Sequence, residues 1–259
     1  MIDIHSHILN EVDDGSDSFS CSIEILKKAE NAGFTDIILT PHYIENYYDN
    51  TKKVIKPKIN ALKKEIYKEN IVVQLYEGNE VFLSDNTPNL LYNAQIATLA
   101  NSRYVLFEVP FTNKMLTLGQ IVSEIKSLGY IPVLAHPERY AFIQENPASI
   151  KEILNYGVFL QSNYGSFVGQ YGKAAKITAE ILLKSHVIHF LGSDTHKHGL
   201  VYEKIDDIIK KLVEISKDEN YINEITTTNP KKILDDIDMY IEDYPKELEE
   251  KKKFVLFRK

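Results

Sequence analysis

Short apolar runs alternate with longer amphipathic stretches along most of the chain. The apolar runs fall at residues 2–7, 36–40, 71–76, 104–109, 131–135, 158–161 and 187–192, and they are rich in Ile, Val and Leu. Continuous apolar runs of this length predict strands covered on both faces, since a strand with one wet face would alternate. Between them, apolar residues recur at helical spacing. Ile23, Leu26 and the run from Ala29 to Ala32 make one such face, Ile121, Ile125 and Leu128 a second, and Ile150, Ile153 and Leu154 a third. Gly33, Gly129 and Gly157 follow these faces, where a helix is expected to stop. Seven repeats of strand, loop and helix predict an α/β fold with a parallel sheet, either closed as a barrel or open and doubly wound. Residues 84–98, with Pro88, Asn89 and Asn93, read as one long surface connection with room for a short helix. After about Lys231 the pattern weakens. Residues 235–259 read as a charged tail on a single domain spanning 1–259, with 246–253 a solvated helix and 254–259 a terminal strand packing on that domain.

Composition narrows the classes. The chain has 259 residues, 44% hydrophobic and 26% charged, which excludes disorder. Thirty Lys and Arg against 37 Asp and Glu give a net charge of −7, which speaks against nucleic acid as a partner. A single cysteine, Cys21, excludes a disulfide framework and a cysteine zinc cluster; it also lacks the C-x5-R loop of cysteine phosphatases and reads as inert. No run of about 18 apolar residues is present to span a bilayer. The charged, histidine-bearing start Met1-Ile2-Asp3-Ile4-His5 does not read as a signal peptide, so a soluble, cytoplasmic protein is expected. The first loop lacks G-x-G-x-x-G and no Walker A sequence occurs, against dinucleotide and P-loop folds.

The chemistry sits at the ends of the predicted strands. His5 and His7 are two apart on the first strand and share a face. Asp14 lies in the loop that follows. His42, Glu80, Glu108 and His136 come at or just after the ends of the next four strands, and Asp194 and His196 follow the last. In a parallel α/β fold all these ends open on one rim. Glu108, amid Leu106, Phe107 and Val109, is a carboxylate that burial would make costly without a partner. Four carboxylates held together repel each other, and neutral imidazoles cannot compensate them; divalent cations can. Imidazole and carboxylate suit Zn²⁺, Mn²⁺ or Fe²⁺. Nine ligands exceed the needs of one ion and fit two or three with a bridging carboxylate. Three ions would leave the rim with a charge of roughly +2, which attracts phosphate and clamps the oxygens of a displacement. Metal-assisted hydrolysis of a phosphate ester follows. Arg139, three residues past His136, is the candidate guanidinium for the phosphate. His186, His189 and His198 read as core or loop residues, and Ser193 lacks the G-x-S-x-G context of a nucleophile.

The stretches Met1-Ile2-Asp3-Ile4-His5-Ser6-His7, Asp13-Asp14-Gly15, Thr40-Pro41-His42, Gly78-Asn79-Glu80, Phe107-Glu108, Leu134-Ala135-His136-Pro137-Glu138-Arg139-Tyr140 and Ser193-Asp194-Thr195-His196 together resemble the PHP (polymerase and histidinol phosphatase) superfamily. Within it they are most similar to bacterial manganese-dependent protein-tyrosine phosphatases of capsule and exopolysaccharide biosynthesis. The resemblance implies a distorted (β/α)7 TIM-like barrel holding three divalent ions, with Mn preferred and Fe or Zn as alternatives. By analogy His5, His7, Glu80 and Asp194 hold one ion. Glu80 as a bridge, with Glu108 and His136, holds the second, and Asp14, His42 and His196 hold the third. A metal-bridging hydroxide would attack phosphorus in line, with Arg139, Asp14 and His42 acting directly in catalysis. The implied partner is a membrane-linked tyrosine autokinase with a phosphotyrosine-bearing tail, and an oligomer is compatible with the pattern. Two other functions remain open: a small-molecule phosphatase of the histidinol-phosphatase type, and a non-catalytic metal-stabilised binding module. The family's second arginine, expected after Ser-Asp-x-His, is absent from the run 197–204, where Lys197 and Lys204 are the basic candidates.

Overall fold

The structure is a computed structural model that describes residues 1–241. The run at 246–253, the apolar end at 254–259 and most of the expected tail lie outside the described residues. The chain opens with β1 (Ile2–Asp3) and α1 (Phe19–Asn31), then β2 (Asp36–Leu39), β3 (His42–Tyr43) and α2 (Lys52–Lys68). Next come β4 (Gln74–Glu77), β5 (Glu80–Phe82), α3 (Thr87–Tyr92), β6 (Tyr104–Glu108) and α4 (Leu118–Ser127). They are followed by β7 (Ile131–Ala135), α5 (Ala141–Glu145), α6 (Ile150–Asn155), β8 (Phe159–Asn163), α7 (Gly172–Lys184) and β9 (Phe190–Gly192). Four helices close the described chain: α8 (Leu200–Glu203), α9 (Ile205–Ser216), α10 (Glu219–Asn223) and α11 (Asn229–Leu234). The seven apolar runs thus each contribute a strand, and the excursion at 84–98 contains the short helix α3. Gly33, Gly129 and Gly157 follow α1, α4 and α6 as the spacing predicts.

All pairings between named strands are parallel, in the orders β1-β2-β4 and β3-β5-β6-β7-β8-β9. The two ladders are continuous through the chain, because β3 resumes β2 after Thr40-Pro41 and β5 resumes β4 after Gly78-Asn79. Asn79 braces both breaks: its amide donates to the carbonyls of Pro41 (3.0 Å) and Asn50 (3.1 Å), and its Oδ1 accepts from the Ala97 N–H (2.8 Å). At the far edge the last strand's extension reaches the first strand's. His7 N–H donates to the Thr195 carbonyl and Asp194 N–H to that of His5, each at 2.9 Å, while Thr40 N–H donates to Ser6 O at 2.8 Å. The result is an α/β fold with a curled parallel sheet.

Strand alternation splits the core in two. Ile4, Ile38, Leu106, Val133, Ala135, Phe159 and Phe190 form one buried cluster. Their neighbours Ile37, Leu39, Val105, Phe107, Leu134, Leu160 and Leu191 pack with helical residues such as Ile25, Leu26 and Ile121 in the other. Both faces of the sheet are covered, which is why its strands read as unbroken apolar runs. The first part of the expected tail packs here too. Arg103 pairs with Asp236 (3.2 Å) and Asp238 (2.7 Å), and the Tyr104 hydroxyl donates to the Ile237 carbonyl at 2.7 Å.

His189, one of the two histidines flanking the last apolar run, is half-buried against the sheet. Its Nδ1 accepts the Leu160 N–H (3.1 Å) and its ring packs edge-on against Phe159 at 4.9 Å. Burial lowers its pKa to about 3. The unfolded chain therefore takes up a proton below about pH 6.5 that the folded chain refuses, so stability is lost as pH falls from there toward 3. The urea midpoint of the wild type is expected to fall more between pH 7 and pH 4.5 than that of His189→Gln; parallel declines would contradict this assignment.

Candidate metal centre

The nine residues singled out in the sequence meet at the carboxyl end of the curled sheet. His5 and His7 follow β1, Asp14 lies in the loop before α1, His42 opens β3, Glu80 opens β5, Glu108 ends β6, His136 follows β7, and Asp194 and His196 follow β9. His42 and Glu80 are direct register partners. Simple alternation would send His136 to the helix side with Leu134. A left-handed backbone, φ 38°, breaks the alternation, and His136 Nε2 reaches Glu80 Oε1 at 2.7 Å. Asp194 is also left-handed, with φ 49°. Two non-glycine residues held in this sparsely populated region, both buried, mark a site that the surrounding structure over-determines.

The hydrogen bonds fix which nitrogens face the centre. Gln161 spends its amide N–H groups on the Ser162 carbonyl (2.8 Å) and Asn163 Oδ1 (2.9 Å), so its Oε1 must accept from His5 Nδ1 (2.8 Å). Asp13 Oδ2, an acceptor only, takes the proton of His7 Nδ1 at 2.8 Å. In the neutral imidazoles both Nε2 atoms are then bare. They face each other at 3.2 Å, and each lies 3.2 Å from Glu80 Oε2. Asp194 Oδ1 stands 3.6 Å from the first and 3.5 Å from the second. A cation among such acceptors would offset their mutual repulsion. Ligands about 2.1 Å from a common ion lie roughly 3.0 Å apart at octahedral angles and roughly 3.5 Å apart at tetrahedral ones, which is this spacing.

The same pattern extends outward. His42 Nδ1 lies 3.1 Å from Glu80 Oε2 and 3.4 Å from Glu108 Oε1, while its Nε2 is 3.7 Å from Asp14 Oδ1. His196 Nε2 is 3.5 Å from the same Asp14 oxygen, and its ring stacks on His7 at 4.1 Å. Three overlapping groups of donors could hold ions: His5, His7 and Glu80; His42, Glu80 and Glu108; and His7, Asp14, His42 and His196. The grouping differs from the analogy: His7 and His42 each serve two groups, and Asp194 and His136 fall in none of the three. Glu80 Oε2 and His42 Nδ1 are buried without a hydrogen-bond partner, as donors reserved for a cation would be.

Electrostatics agree. Burial would depress the pKa of His5, but the carboxylates of Glu80 and Asp194 overcome it and push it up to about 9. Burial opposes charge on His7 as well, yet Asp13 and Glu80 raise it well above the usual value. Glu80 is held well below the carboxylate range by His5, His42 and His136 against the desolvation it suffers. The carboxylates that favour positive charge on these imidazoles would favour a bound cation for the same reason.

Arg139 is tied to the cluster, not to its neighbour Glu138. Its guanidinium donates to Asp194 Oδ2 at 2.9 Å and lies between two rings, with Cζ 4.6 Å from the Phe111 centroid and 4.5 Å from that of Tyr171. Asp194 Oδ2 also accepts from Asn163 Nδ2 (2.6 Å) and the Tyr171 hydroxyl (3.0 Å), leaving Oδ1 toward the imidazoles. Glu138 is fully buried and accepts from Ser162 Oγ (3.0 Å), Asn163 N–H (2.9 Å) and Ser166 Oγ (2.6 Å). Lys197 and Lys204, the candidates for a second phosphate cation, are both exposed. Cys21 is partly buried on α1, and His186 stacks on Tyr221 at 4.2 Å, away from the centre.

Asp13 is the residue that sequence reasoning passed over in favour of Asp14. Besides His7, its Oδ2 accepts the His42 N–H at 2.9 Å, and its Oδ1 accepts that of Gly15 at 3.0 Å. The turn lies so close that a Cβ on Gly15 would stand 2.1 Å from the His7 carbonyl oxygen, which explains the Asp-Asp-Gly run. Asp13→Asn can present its amide NH₂ to His7 and spoil the tautomer. It is expected to weaken Mn²⁺ binding by about 10–100-fold, measured by metal titration; unaltered affinity would assign Asp13 to the turn alone.

Comparison with known proteins agrees with this geometry. The family model for capsular polysaccharide synthesis, CpsB/CapC, matches residues 1–235. The tyrosine-protein phosphatase YwqE of Bacillus subtilis is 35% identical over 196 residues, 76% of this chain and 77% of that protein. The tyrosine-protein phosphatase CpsB of Streptococcus pneumoniae is 28% identical over 247 residues, 91% of this chain and 99% of the other. Crystal structures of YwqE from Bacillus subtilis and CpsB from Streptococcus pneumoniae, described as unique metal-dependent tyrosine phosphatases, include a chain that superposes with TM-score 0.86 at 30% identity, covering 93% of this chain and 96% of that one. By the match of the family model across nearly its whole length, the chain belongs to the CpsB/CapC family of capsular polysaccharide synthesis.

Proposed function

We propose that this chain is a divalent-metal-dependent phosphatase that hydrolyses phosphotyrosine in the tail of a tyrosine autokinase controlling capsule or exopolysaccharide chain length. One observation carries the reading: the Nε2 atoms of His5 and His7 and the Oε2 of Glu80 converge at 3.2 Å, with Asp194 Oδ1 3.5–3.6 Å from both imidazoles. The names of the relatives supply the substrate class. The fold reading is a closed (β/α)7 barrel of PHP type in one domain over 1–259, supported by the hydrogen bonds between residues 5–7 and 194–195. His5, His7, Glu80 and Asp194 would hold one ion. Glu80, Glu108, His136 and His42 Nδ1 would hold a second, and Asp14, His42 Nε2 and His196 a third, with Mn²⁺ the preferred metal. Ions so placed supply Lewis acidity and make a nucleophile of water near neutral pH.

The chain's own groups position the substrate. The guanidinium of Arg139 has five N–H donors in a planar fork, and Asp194 together with the two flanking rings sets its plane. Phosphoryl oxygens arriving beside Asp194 meet that fork. Arg139→Ala is expected to raise KM for a phosphotyrosyl peptide by about 10–100-fold with a smaller fall in kcat, and Arg139→Lys to restore little of it. An unchanged KM would contradict the role. The function is tested by turnover of a phosphotyrosyl peptide beside histidinol phosphate under Mn²⁺, Fe²⁺ and Zn²⁺. Preference for the peptide supports the proposal. Preference for histidinol phosphate, or turnover of neither under any metal, overturns it.

A further inference from the structure

Two aromatic residues outside the ligand set stand beside His136 and His42, two of the four imidazoles that meet Glu80. Phe111, just past β6, is 38% exposed, and its carbonyl is pinned by the Ala141 N–H at 2.8 Å. Its ring stacks on that of His136, with centroids 5.6 Å apart and 28° between planes, as well as on the guanidinium of Arg139. Tyr48 lies parallel to His42, with centroids 6.1 Å apart and 8° between planes, and Tyr47, 73% exposed, packs edge-on against it at 4.6 Å. The ligands themselves are all imidazole or carboxylate, so these rings are the apolar surface next to a charged centre. An exposed phenyl ring in contact with the phosphate-binding guanidinium is placed to meet whatever is esterified to that phosphate. An aromatic ring there gains offset stacking and apolar burial that a short aliphatic group cannot match.

We infer that Phe111, with Tyr48 as a second wall, determines specificity by receiving the aryl ring of a phosphate monoester whose phosphoryl group is held by Arg139 and the metal centre. This rests on the phosphatase reading above and names the residues that would select tyrosine. The competing role for Phe111 is to support Arg139 and His136 without touching substrate, and the two roles separate by ligand. Binding of phenylphosphonate and of methylphosphonate to the Mn²⁺-loaded protein is measured by calorimetry for the wild type, Phe111→Ala and Phe111→Tyr. The wild type is expected to prefer the phenyl compound, Phe111→Ala to lose about five- to tenfold of that preference, and Phe111→Tyr to keep it. Equal weakening of both ligands, an unchanged preference, or no binding of either by the wild type would each overturn the inference. Should Phe111→Ala fail to fold, Phe111→Leu provides the apolar, non-aromatic comparison. Peptide turnover distinguishes the layers. Phenyl preference without phosphotyrosine hydrolysis under any divalent ion sinks the phosphatase reading alone, and hydrolysis without a Phe111-dependent preference sinks this inference alone.

Discussion

Glu80→Gln is expected to lower phosphotyrosyl-peptide turnover by roughly a thousandfold or more and to reduce the bound metal, while the far-UV circular dichroism stays that of the wild type. Glu80 meets four of the proposed ligands at close range. Its Oε2 lies within 3.1–3.2 Å of nitrogens on His5, His7 and His42, and its Oε1 is 2.7 Å from His136. The substitution preserves shape but removes the charge, and it can turn N–H groups toward atoms that need a cation. Two of the proposed ion positions lose their shared ligand at once. Full metal content together with full turnover in this variant would remove Glu80 from the centre and with it the bridging scheme.

Stripping divalent ions with a chelator is expected to abolish turnover and to lower Tm by roughly 10 °C, both restored by Mn²⁺. Ions present at about a thousand times their dissociation constant stabilise the folded state by about 4 kcal/mol, and about 2–4 °C per kcal/mol is usual for a domain of this size. The stabilisation has a visible source, since Glu80 and Asp194 are buried and Glu108 nearly so, and their mutual repulsion returns when the cations leave. Mg²⁺ is expected to replace Mn²⁺ poorly, because it prefers all-oxygen shells and the site offers imidazoles. A Tm unchanged by chelation, followed by differential scanning calorimetry, would contradict a resident metal centre.

Much of this molecule was legible in its sequence because two signals coincided. Apolar runs located the strands, and the polar residues at their ends located the rim. The sequence signal fails where an element is too short to show a period. β3 and β5 have two and three residues, and each begins with a proposed ligand, His42 or Glu80, so neither reads as a strand. It also fails where two like residues are adjacent. Asp13 and Asp14 look equivalent in a turn, yet one orients His7 from behind and the other faces His42 and His196 with 58% of its side chain exposed. Gln161 was within reach. A polar residue in a buried apolar strand invites the argument applied to Glu108, and it is bonded to His5. Tyr171, Phe111 and Tyr48 left no comparable trace, since an aromatic residue in a loop carries no period. The run 197–204 holds no arginine, and its two lysines, Lys197 and Lys204, are exposed.

Asp13 joins a ring on one strand's extension to the main chain of another, by its bonds to His7 Nδ1 and the His42 N–H. Few positions in the ring of ligands can therefore drift alone: altering Asp13 disturbs two, and altering Glu80 disturbs four. Evolution of a different metal preference in this scaffold has its easiest route at Asp14, whose side chain is 58% exposed and whose carboxylate pairs with His42 and His196.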